Sequence, residues 1–316
     1  MAMILLLWIL IFAGALTALI IAANLFTDSA EKLGLYFGMP PFMIGAVILS
    51  LGTSLPELAN SILGVVKGVP DIIVGNVLGA NITNILLVLG VCAIVAGKLK
   101  ITKEVMQVDL PLLIGSALWV VFVAFDGKFV LWEAILTIIF LVVFLRYAVS
   151  GKVKEYGKKV WKKKVHPKIT AKTIVTLVVS GILIYFGAKF TIEALLEISK
   201  GVGIAEGIIA ATVLAIGTTL PELIVGVQAA RKKKYELAVG TVLGSNIINV
   251  LLVLGIPGLI ATITFSHTMI FIALPFMVGA TLLFLFTTQS KLVTKHEGWM
   301  LVLMYVLYVG TMFVMG

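Results

Sequence analysis

A duplicated stretch is the feature of this chain that most constrains its fold. GTSLPEL at Gly52–Leu58 returns as GTTLPEL at Gly217–Leu223, and VLGANITNILLVLG at Val77–Gly90 returns as VLGSNIINVLLVLG at Val242–Gly255. Both pairs share one offset of about 165 residues without a gap. The chain is therefore built from two related halves, and its fold has to accommodate an internal repeat.

Composition indicates that the solvent of this chain is a lipid bilayer. Hydrophobic residues make up 61% of the sequence, charged residues 12%, and the mean hydropathy is +1.17, whereas a soluble globular protein is about 45–50% apolar. At about 20 residues per span, the apolar runs predict an all-α membrane protein with ten transmembrane helices. These cover roughly residues 3–26, 41–66, 72–97, 106–125, 129–148, 171–196, 204–229, 236–261, 267–287 and 298–315.

The positions of Lys and Arg predict the orientation of these helices. Residues 149–172 hold nine lysines between two apolar runs, so the positive-inside rule makes this segment cytoplasmic and both termini extracellular. Because each half has an odd number of helices, the second half enters the membrane from the opposite side. The sequence therefore predicts two inverted-topology five-helix repeats, residues 1–149 and 170–316, joined by a basic cytoplasmic linker at 150–169.

Membrane topology also accounts for the net charge of +9, so we expect the lipid bilayer as a partner and no nucleic acid. The predicted location is the cell (plasma) membrane, and the chain is expected to act as a monomer. The single cysteine, Cys92, lies inside a predicted span, and one cysteine cannot form a disulfide within the chain.

Each half carries a carboxylate beside a helix-breaking proline. Pro56 and Pro221 lack an N–H and clash with the carbonyl four residues back, which predicts helix breaks near Gly52 and Gly217. Inside hydrocarbon such a break is tolerated only where it is buried in protein or lines a cavity. The repeat itself is typical of secondary transporters, whose sites lie near the membrane midplane at the interface between the repeats.

The residues at the two breaks are rich in oxygen atoms. Glu57 and Glu222 directly follow the prolines, and the breaks also carry hydroxyl groups, at Thr53, Ser54, Thr218 and Thr219. A shell made only of oxygen atoms suits hard cations such as Na⁺ or Ca²⁺. We therefore expect a cation site that draws one carboxylate from each half.

The second repeated motif, G-(A/S)-N-I-x-N, adds amide groups to this site. Its asparagines are three residues apart and share one helix face, so their carbonyl oxygens can reach the breaks; they are Asn81, Asn84, Asn246 and Asn249. Ser245 supplies a hydroxyl in the second half, where the first half has Ala80. The predicted site is therefore pseudosymmetric but not symmetric.

Two correctly spaced copies of these motifs resemble the cation/calcium exchanger superfamily, and within it the sodium/calcium exchangers. The resemblance implies that Glu57 and Glu222 are the central ligands of the transported ions, with the main-chain oxygens and hydroxyls of Thr53 and Thr218 beside them. It implies further ligands at Ser54, Thr219, Asn84, Asn249, Ser245 and the main-chain carbonyls of Ser50 and Ala215. It also implies that the helices at about 3–26 and 171–196 slide across a fixed core.

The resemblance further implies a secondary transporter and not an enzyme, without a cofactor, in which Ca²⁺ and Na⁺ are transported substrates. Ala80 stands where many family members have Ser, which removes one Na⁺ ligand and leaves the stoichiometry open. Asn249 stands where potassium-dependent relatives carry Asp, which argues against a K⁺ requirement.

The alternatives to a Na⁺/Ca²⁺ exchanger are an H⁺-coupled cation antiporter at the same site, a passive cation channel, and an intramembrane hydrolase with paired acids.

Two ionised glutamates neutralise one Ca²⁺, and Na⁺ ions would compete for the same carboxylates, so exchange follows from competition. Protons compete there as well, and uptake is therefore expected to fall at acidic pH.

Overall fold

The fold was analysed in a computed structural model, which describes residues 2–68, 71–101, 110–148, 169–202 and 217–315. In the first half the helices are α1 (Ala2–Tyr36), α2 (Pro41–Thr53), α3 (Leu55–Val66), α4 (Asp71–Thr83, continued by Asn84–Leu89 and Gly90–Ala96), α5 (Leu110–Val123) and α6 (Leu131–Ala148). In the second half they are α7 (Ala171–Val202), α8 (Leu220–Arg231), α9 (Tyr235–Gly258), α10 (Met269–Thr288) and α11 (Lys295–Met315). Four short strands complete the described residues: β1 (Lys98–Lys100), β2 (Lys128–Phe129), β3 (Ile263–Thr264) and β4 (Leu292–Thr294).

The centre of the molecule is formed by the two helices that carry the asparagine motifs. Helices α4 and α9 are largely buried within the protein, whereas the long helices α1 and α7 expose most of their surface. Helices α1 and α7 pack along each other, and most of their exposed side chains are apolar, as expected for helices that face lipid. The molecule thus has a core of motif helices and an outer pair of long helices.

Helix α2 approaches α9 at backbone distance. A Cβ atom at Gly240 would overlap the main chain at Phe42, and one at Gly244 would overlap the main chain at Ala46. Helices whose contact residues have no side chain can approach this closely in a membrane. The contact brings the segment before the first helix break against the asparagine motif of the second half.

Two antiparallel strand pairs connect the halves. Strand β1 pairs with β4, and β2 pairs with β3. The 20-residue helix α10 runs from β3 to β4, so the two pairs lie at opposite ends of that helix. Each pair therefore joins a loop of the first half to a loop of the second half, on opposite faces of the molecule.

The described residues contain six helices that are long and apolar enough to cross a membrane, or seven when the bent pair α2 and α3 counts as one span. The predicted bounds of two helices were wrong, because the sequence predicted ends near residues 26 and 196 whereas α1 continues to Tyr36 and α7 to Val202. Apolar length measures the part inside lipid, and polar turns extend both helices beyond it. Most of the basic linker and the first part of the predicted helix 204–229 lie outside the described residues.

Candidate functional site

The first helix break lies at Ser54, which has φ −85° and ψ 1°. The break was predicted near Gly52, two residues too early. Helical bonding persists to the end of α2 because the Ser54 N–H still donates to the Ser50 carbonyl, at 2.9 Å. Pro56 then lies in the first turn of α3, where a missing N–H costs nothing.

The second break repeats this geometry. Thr219, with φ −95° and ψ 7°, precedes α8, and Pro221 lies in the first turn of that helix. The break was predicted near Gly217, which still has helical geometry, with the turn at Thr218 and Thr219. The first break therefore separates α2 from α3, which leaves main-chain carbonyls without their helical partners, and the second lies directly before α8.

Both glutamates are buried at these breaks. Glu57 is 1% exposed and Glu222 is 0% exposed, and each lies in the first turn of its helix. None of their four carboxylate oxygens has a hydrogen-bond partner among the described residues, and the two charges interact with each other. A buried, unpaired carboxylate is costly, so this arrangement calls for positive charge between the two side chains.

Neutral oxygens of both halves surround Glu222. The hydroxyls of Thr53 and Ser54, from the first half, and of Ser245, from the second, lie near its carboxylate. No hydrogen bond of good geometry satisfies Ser54 Oγ, Ser245 Oγ or the carboxylate itself. Hydroxyl and carboxylate oxygens thus lie close together without well-formed hydrogen bonds between them, which is the arrangement expected of a cation shell.

The asparagine side chains of the two motifs carry unpaired oxygen atoms and also form hydrogen bonds between α4 and α9. Asn84 has no hydrogen-bond partner at either amide atom, and the Oδ1 atoms of Asn246 and Asn249 are also unpaired. Asn81 and Asn246 each donate from Nδ2 to the other's main-chain carbonyl, both at 3.2 Å. Their nitrogens therefore hold α4 to α9, while the carbonyl oxygens of Asn84 and Asn249 are available to an ion.

The helix becomes π-helical at the last asparagine of each motif. A π-helical segment starts at Asn84 and another at Asn249. Such segments are rare and occur frequently at functional sites, because they shift side chains away from the ordinary helical positions. The duplicated sequence thus produces the same local distortion twice, at the same motif position.

The remaining predicted residues occupy several environments. The Ser50 hydroxyl donates to the Ala46 carbonyl at 2.6 Å, and the Ser50 main-chain oxygen accepts from the Ser54 N–H at 2.9 Å, so an ion there would use the second lone pair of that carbonyl. Thr219 is buried at the start of α8, and Thr218 is half-buried. Ala215 lies outside the described residues, so its predicted carbonyl ligand stays a prediction.

A cavity of about 380 Å³ reaches the breaks from one face of the molecule. It is lined by Thr218 and by both motif prolines, and its outer part includes Lys189 and Glu193, whose charged groups are 3.8 Å apart. The cavity therefore reaches the motif prolines and Thr218.

One contributing residue was missed by the sequence analysis. The Asn76 amide donates to the main-chain carbonyl of Glu57 and to Ser61 Oγ, both at 3.2 Å, and so braces the first turn of α3. A signal was present, because Asn76 lies four and eight residues before Ala80 and Asn84, on the same helix face.

Comparisons with known proteins cover both halves of the chain. A sequence profile described as sodium/calcium exchanger protein matches residues 7–150 and 172–314, which include both halves. The chain is 29% identical to sodium/calcium exchanger MaX1 of Methanosarcina acetivorans, over 96% of this chain and 98% of that protein. It is 30% identical to inner membrane protein YrbG of Escherichia coli, over 78% of this chain and 77% of that protein.

Solved structures show the same fold. The sodium-calcium exchanger NCX_Mj, soaked with 2.5 mM Na⁺ and 0.1 mM Sr²⁺, superposes with a TM-score of 0.82 at 24% identity, covering 97% of this chain and 99% of that chain. The apolar helices and these relatives identify a multi-pass membrane protein. On the profile match across both halves, the chain belongs to the sodium/calcium exchanger protein family.

Proposed function

We propose that this protein exchanges Na⁺ for Ca²⁺ across a membrane by alternating access at one central site containing Glu57 and Glu222. The observation that carries the proposal is the set of buried oxygens without hydrogen-bond partners at the two helix breaks. Two carboxylates and neutral oxygens from both halves provide the ligand type that Ca²⁺ and Na⁺ require.

Competition for the same carboxylates couples the two ions. One Ca²⁺ neutralises both glutamates, whereas Na⁺ ions would divide the carboxylates and use neutral oxygens for their remaining coordination. A site that favours one type of occupant at a time gives exchange instead of leakage. Alternating access requires that the site opens to one face at a time, and the pairing of α1 with α7 outside the motif core supports a movement of these two helices.

We propose ten membrane spans, arranged as two inverted five-helix repeats. The strand pairs support this topology, because a ten-span path with external termini puts β1 and β4 on the cytoplasmic side and β2 and β3 on the external side. The observed pairing is β1 with β4 and β2 with β3. In this topology, the linker at 150–169 is cytoplasmic and the membrane is the cell membrane.

The experiment that tests the function is ⁴⁵Ca²⁺ uptake into proteoliposomes containing the purified protein. Vesicles loaded with Na⁺ and diluted into Na⁺-free medium are compared with vesicles that carry an outward H⁺ gradient and no Na⁺. Uptake driven by the Na⁺ gradient is expected. Uptake driven only by the H⁺ gradient would instead assign an H⁺-coupled antiporter at the same carboxylates.

Two further arms separate the other classes of protein. Counterflow that saturates with Ca²⁺ concentration is expected of an exchanger, whereas a passive channel gives flux without a counter-ion. Cleavage of a membrane peptide by the same preparation would indicate an intramembrane hydrolase and would contradict the proposal.

A further inference from the structure

We propose that Asn81 is a positioning residue, which orients the Asn249 side chain so that its carbonyl oxygen, and not its amide nitrogen, faces the transported cation. The inference deepens the proposed function and rests on it, because the orientation of Asn249 matters to transport only if a cation binds beside it. From its place in the repeated motif, Asn81 is predicted to be a ligand. The hydrogen bonds of the two side chains point to a different role.

The orientation of the Asn81 amide is fixed by its partner on α9. Its Nδ2 lies 3.2 Å from the main-chain oxygen of Asn246. A carbonyl oxygen can only accept a hydrogen bond, so the nitrogen of Asn81 has to point toward it. The Oδ1 atom of Asn81 is thereby directed away from the Asn246 main chain.

That oxygen in turn fixes Asn249. The Nδ2 of Asn249 donates to Asn81 Oδ1 at 3.2 Å, and both residues are buried. If the Asn249 amide turned over, two oxygens would face each other and the hydrogen bond would be lost. Asn249 Oδ1 consequently points away from Asn81, buried and without a partner, and it is the atom that a cation needs. The turned-over amide would offer N–H groups, which repel a cation.

The first half lacks this second bond, which provides an internal control. Asn246 donates to the Asn81 carbonyl at 3.2 Å, as the mirror of the bond from Asn81. Asn246 Oδ1, however, has no partner, and neither amide atom of Asn84 has one. Asn246 therefore shares the bracing of α4 against α9 but holds no other side chain in place.

This asymmetry defines the test. Asn81→Leu removes one bracing bond and the acceptor for Asn249, whereas Asn246→Leu removes one bracing bond and an Oδ1 atom that holds no other side chain. Each is also made in an Asn249→Asp background, where both terminal oxygens of residue 249 are equivalent and its orientation no longer matters. The KM and kcat for Ca²⁺ are measured by ⁴⁵Ca²⁺ uptake in proteoliposomes, with thermal unfolding in detergent as the check on folding.

Asn81→Leu is expected to raise the KM for Ca²⁺ about tenfold with a smaller change in kcat, because the lost interaction affects binding. Asn246→Leu is expected to raise KM less than about threefold. In the Asn249→Asp background, Asn81→Leu is expected to change KM less than about twofold. If leucine at position 81 prevents assembly, Asn81→Ser removes both amide atoms with less steric change and goes through the same comparison.

Equal effects of Asn81→Leu and Asn246→Leu would reduce Asn81 to a bracing residue and overturn the inference. An equal penalty for Asn81→Leu in both backgrounds would overturn it too, because Asn81 would then not act through Asn249. Failure of the proposed function is recognised separately, because wild type would then show no Na⁺-driven uptake of Ca²⁺. In that case the same variants are compared by the shift in unfolding temperature that Ca²⁺ produces, and an unchanged shift in Asn81→Leu would contradict the positioning role.

Discussion

At the scale of single residues, the two halves of the site differ where their sequences differ. Ser245 directs a hydroxyl toward Glu222, whereas the matching position of the first half is Ala80, which is buried on α4. Since the two motifs follow the same local path, a hydroxyl at position 80 would lie near Glu57. The missing oxygen is therefore a difference in the proposed ion shell and not in the fold.

Ala80→Ser is expected to lower the Na⁺ concentration that half-saturates exchange by about threefold, since one added neutral ligand contributes about 0.7 kcal/mol. Na⁺-dependent ⁴⁵Ca²⁺ efflux from proteoliposomes measures this value. Ala117→Ser, at a buried alanine on α5 outside the motifs, is the matched control and should leave it unchanged. Equal Na⁺ dependence in wild type and Ala80→Ser would remove position 80 from the ion shell.

At the scale of helices, ion pairs tie α1 to the turn between α8 and α9. Lys234 contacts Glu31 at 2.7 Å and Asp28 at 2.9 Å, and Lys232 contacts Asp28 at 2.8 Å. These pairs explain why α1 continues past its apolar run. They join an outer helix to the motif core and have to break if α1 slides.

Lys234→Met is expected to lower the free energy of unfolding by about 1 kcal/mol, because the pairs are only partly buried. Partial burial alone would lower the pKa of Lys234, but its hydrogen bonds to Glu31 and Asp28, together with their charges, raise the pKa above the usual 10.5. The stabilisation is then complete below the unfolded pKa of 10.5 and is lost as the pH rises through the folded pKa.

The measurement is thermal unfolding of wild type and Lys234→Met in detergent between pH 7 and pH 11. Their difference in unfolding temperature should be constant at pH 7 to 9 and shrink toward pH 11. Lys291→Met, on the turn before β4 and without an ion pair among the described residues, serves as the control. A difference that persists unchanged at pH 11 would mean that packing of the lysine stem, and not its charge, stabilises α1.

The close approach of α2 to α9 gives a second prediction for these helices. Gly244→Ala is expected to destabilise the protein by about 1–3 kcal/mol, because its Cβ would overlap the main chain at Ala46. Gly279→Ala on α10 has no described atom within 4 Å of its Cβ and should be neutral or slightly stabilising. Thermal unfolding in detergent compares the two, and equal stability would mean that the helices can separate without cost.

Much of the site could be predicted from sequence, because its determinants are local. Pro56 and Glu57 mark a break and a carboxylate within adjacent residues, and the repeat doubles the evidence. The proposed role of Asn81 could not be predicted, because its partners Asn246 and Asn249 are about 165 residues away in the sequence. The orientation of its amide depends on these contacts between α4 and α9. The end of α1 was missed for the same reason, since Asp28 finds its partners on a distant turn.

At the scale of the whole molecule, the proposed exchange is sensitive to membrane potential if each cycle moves net charge across the membrane. If three Na⁺ exchange for one Ca²⁺, each cycle moves one charge, worth about 2.3 kcal/mol per 100 mV. A potential set by K⁺ and valinomycin, positive inside the vesicle, should speed Na⁺-driven Ca²⁺ uptake into the lumen, because each cycle then carries one net positive charge out of the vesicle, and a negative-inside potential should slow it. A rate independent of potential would instead indicate electroneutral exchange.

The central claim is that one carboxylate from each half binds the transported ions. Its most direct test is Na⁺-driven ⁴⁵Ca²⁺ uptake by Glu57→Gln and Glu222→Gln, beside the control Glu133→Gln. Glu133 is also buried, and it accepts a hydrogen bond from the Val130 N–H at 2.9 Å, which a glutamine oxygen can replace. Uptake should fall at least about 100-fold in both site variants, as for a lost charged ligand, and persist in the control. Uptake that survives either site substitution would contradict a shared two-glutamate site.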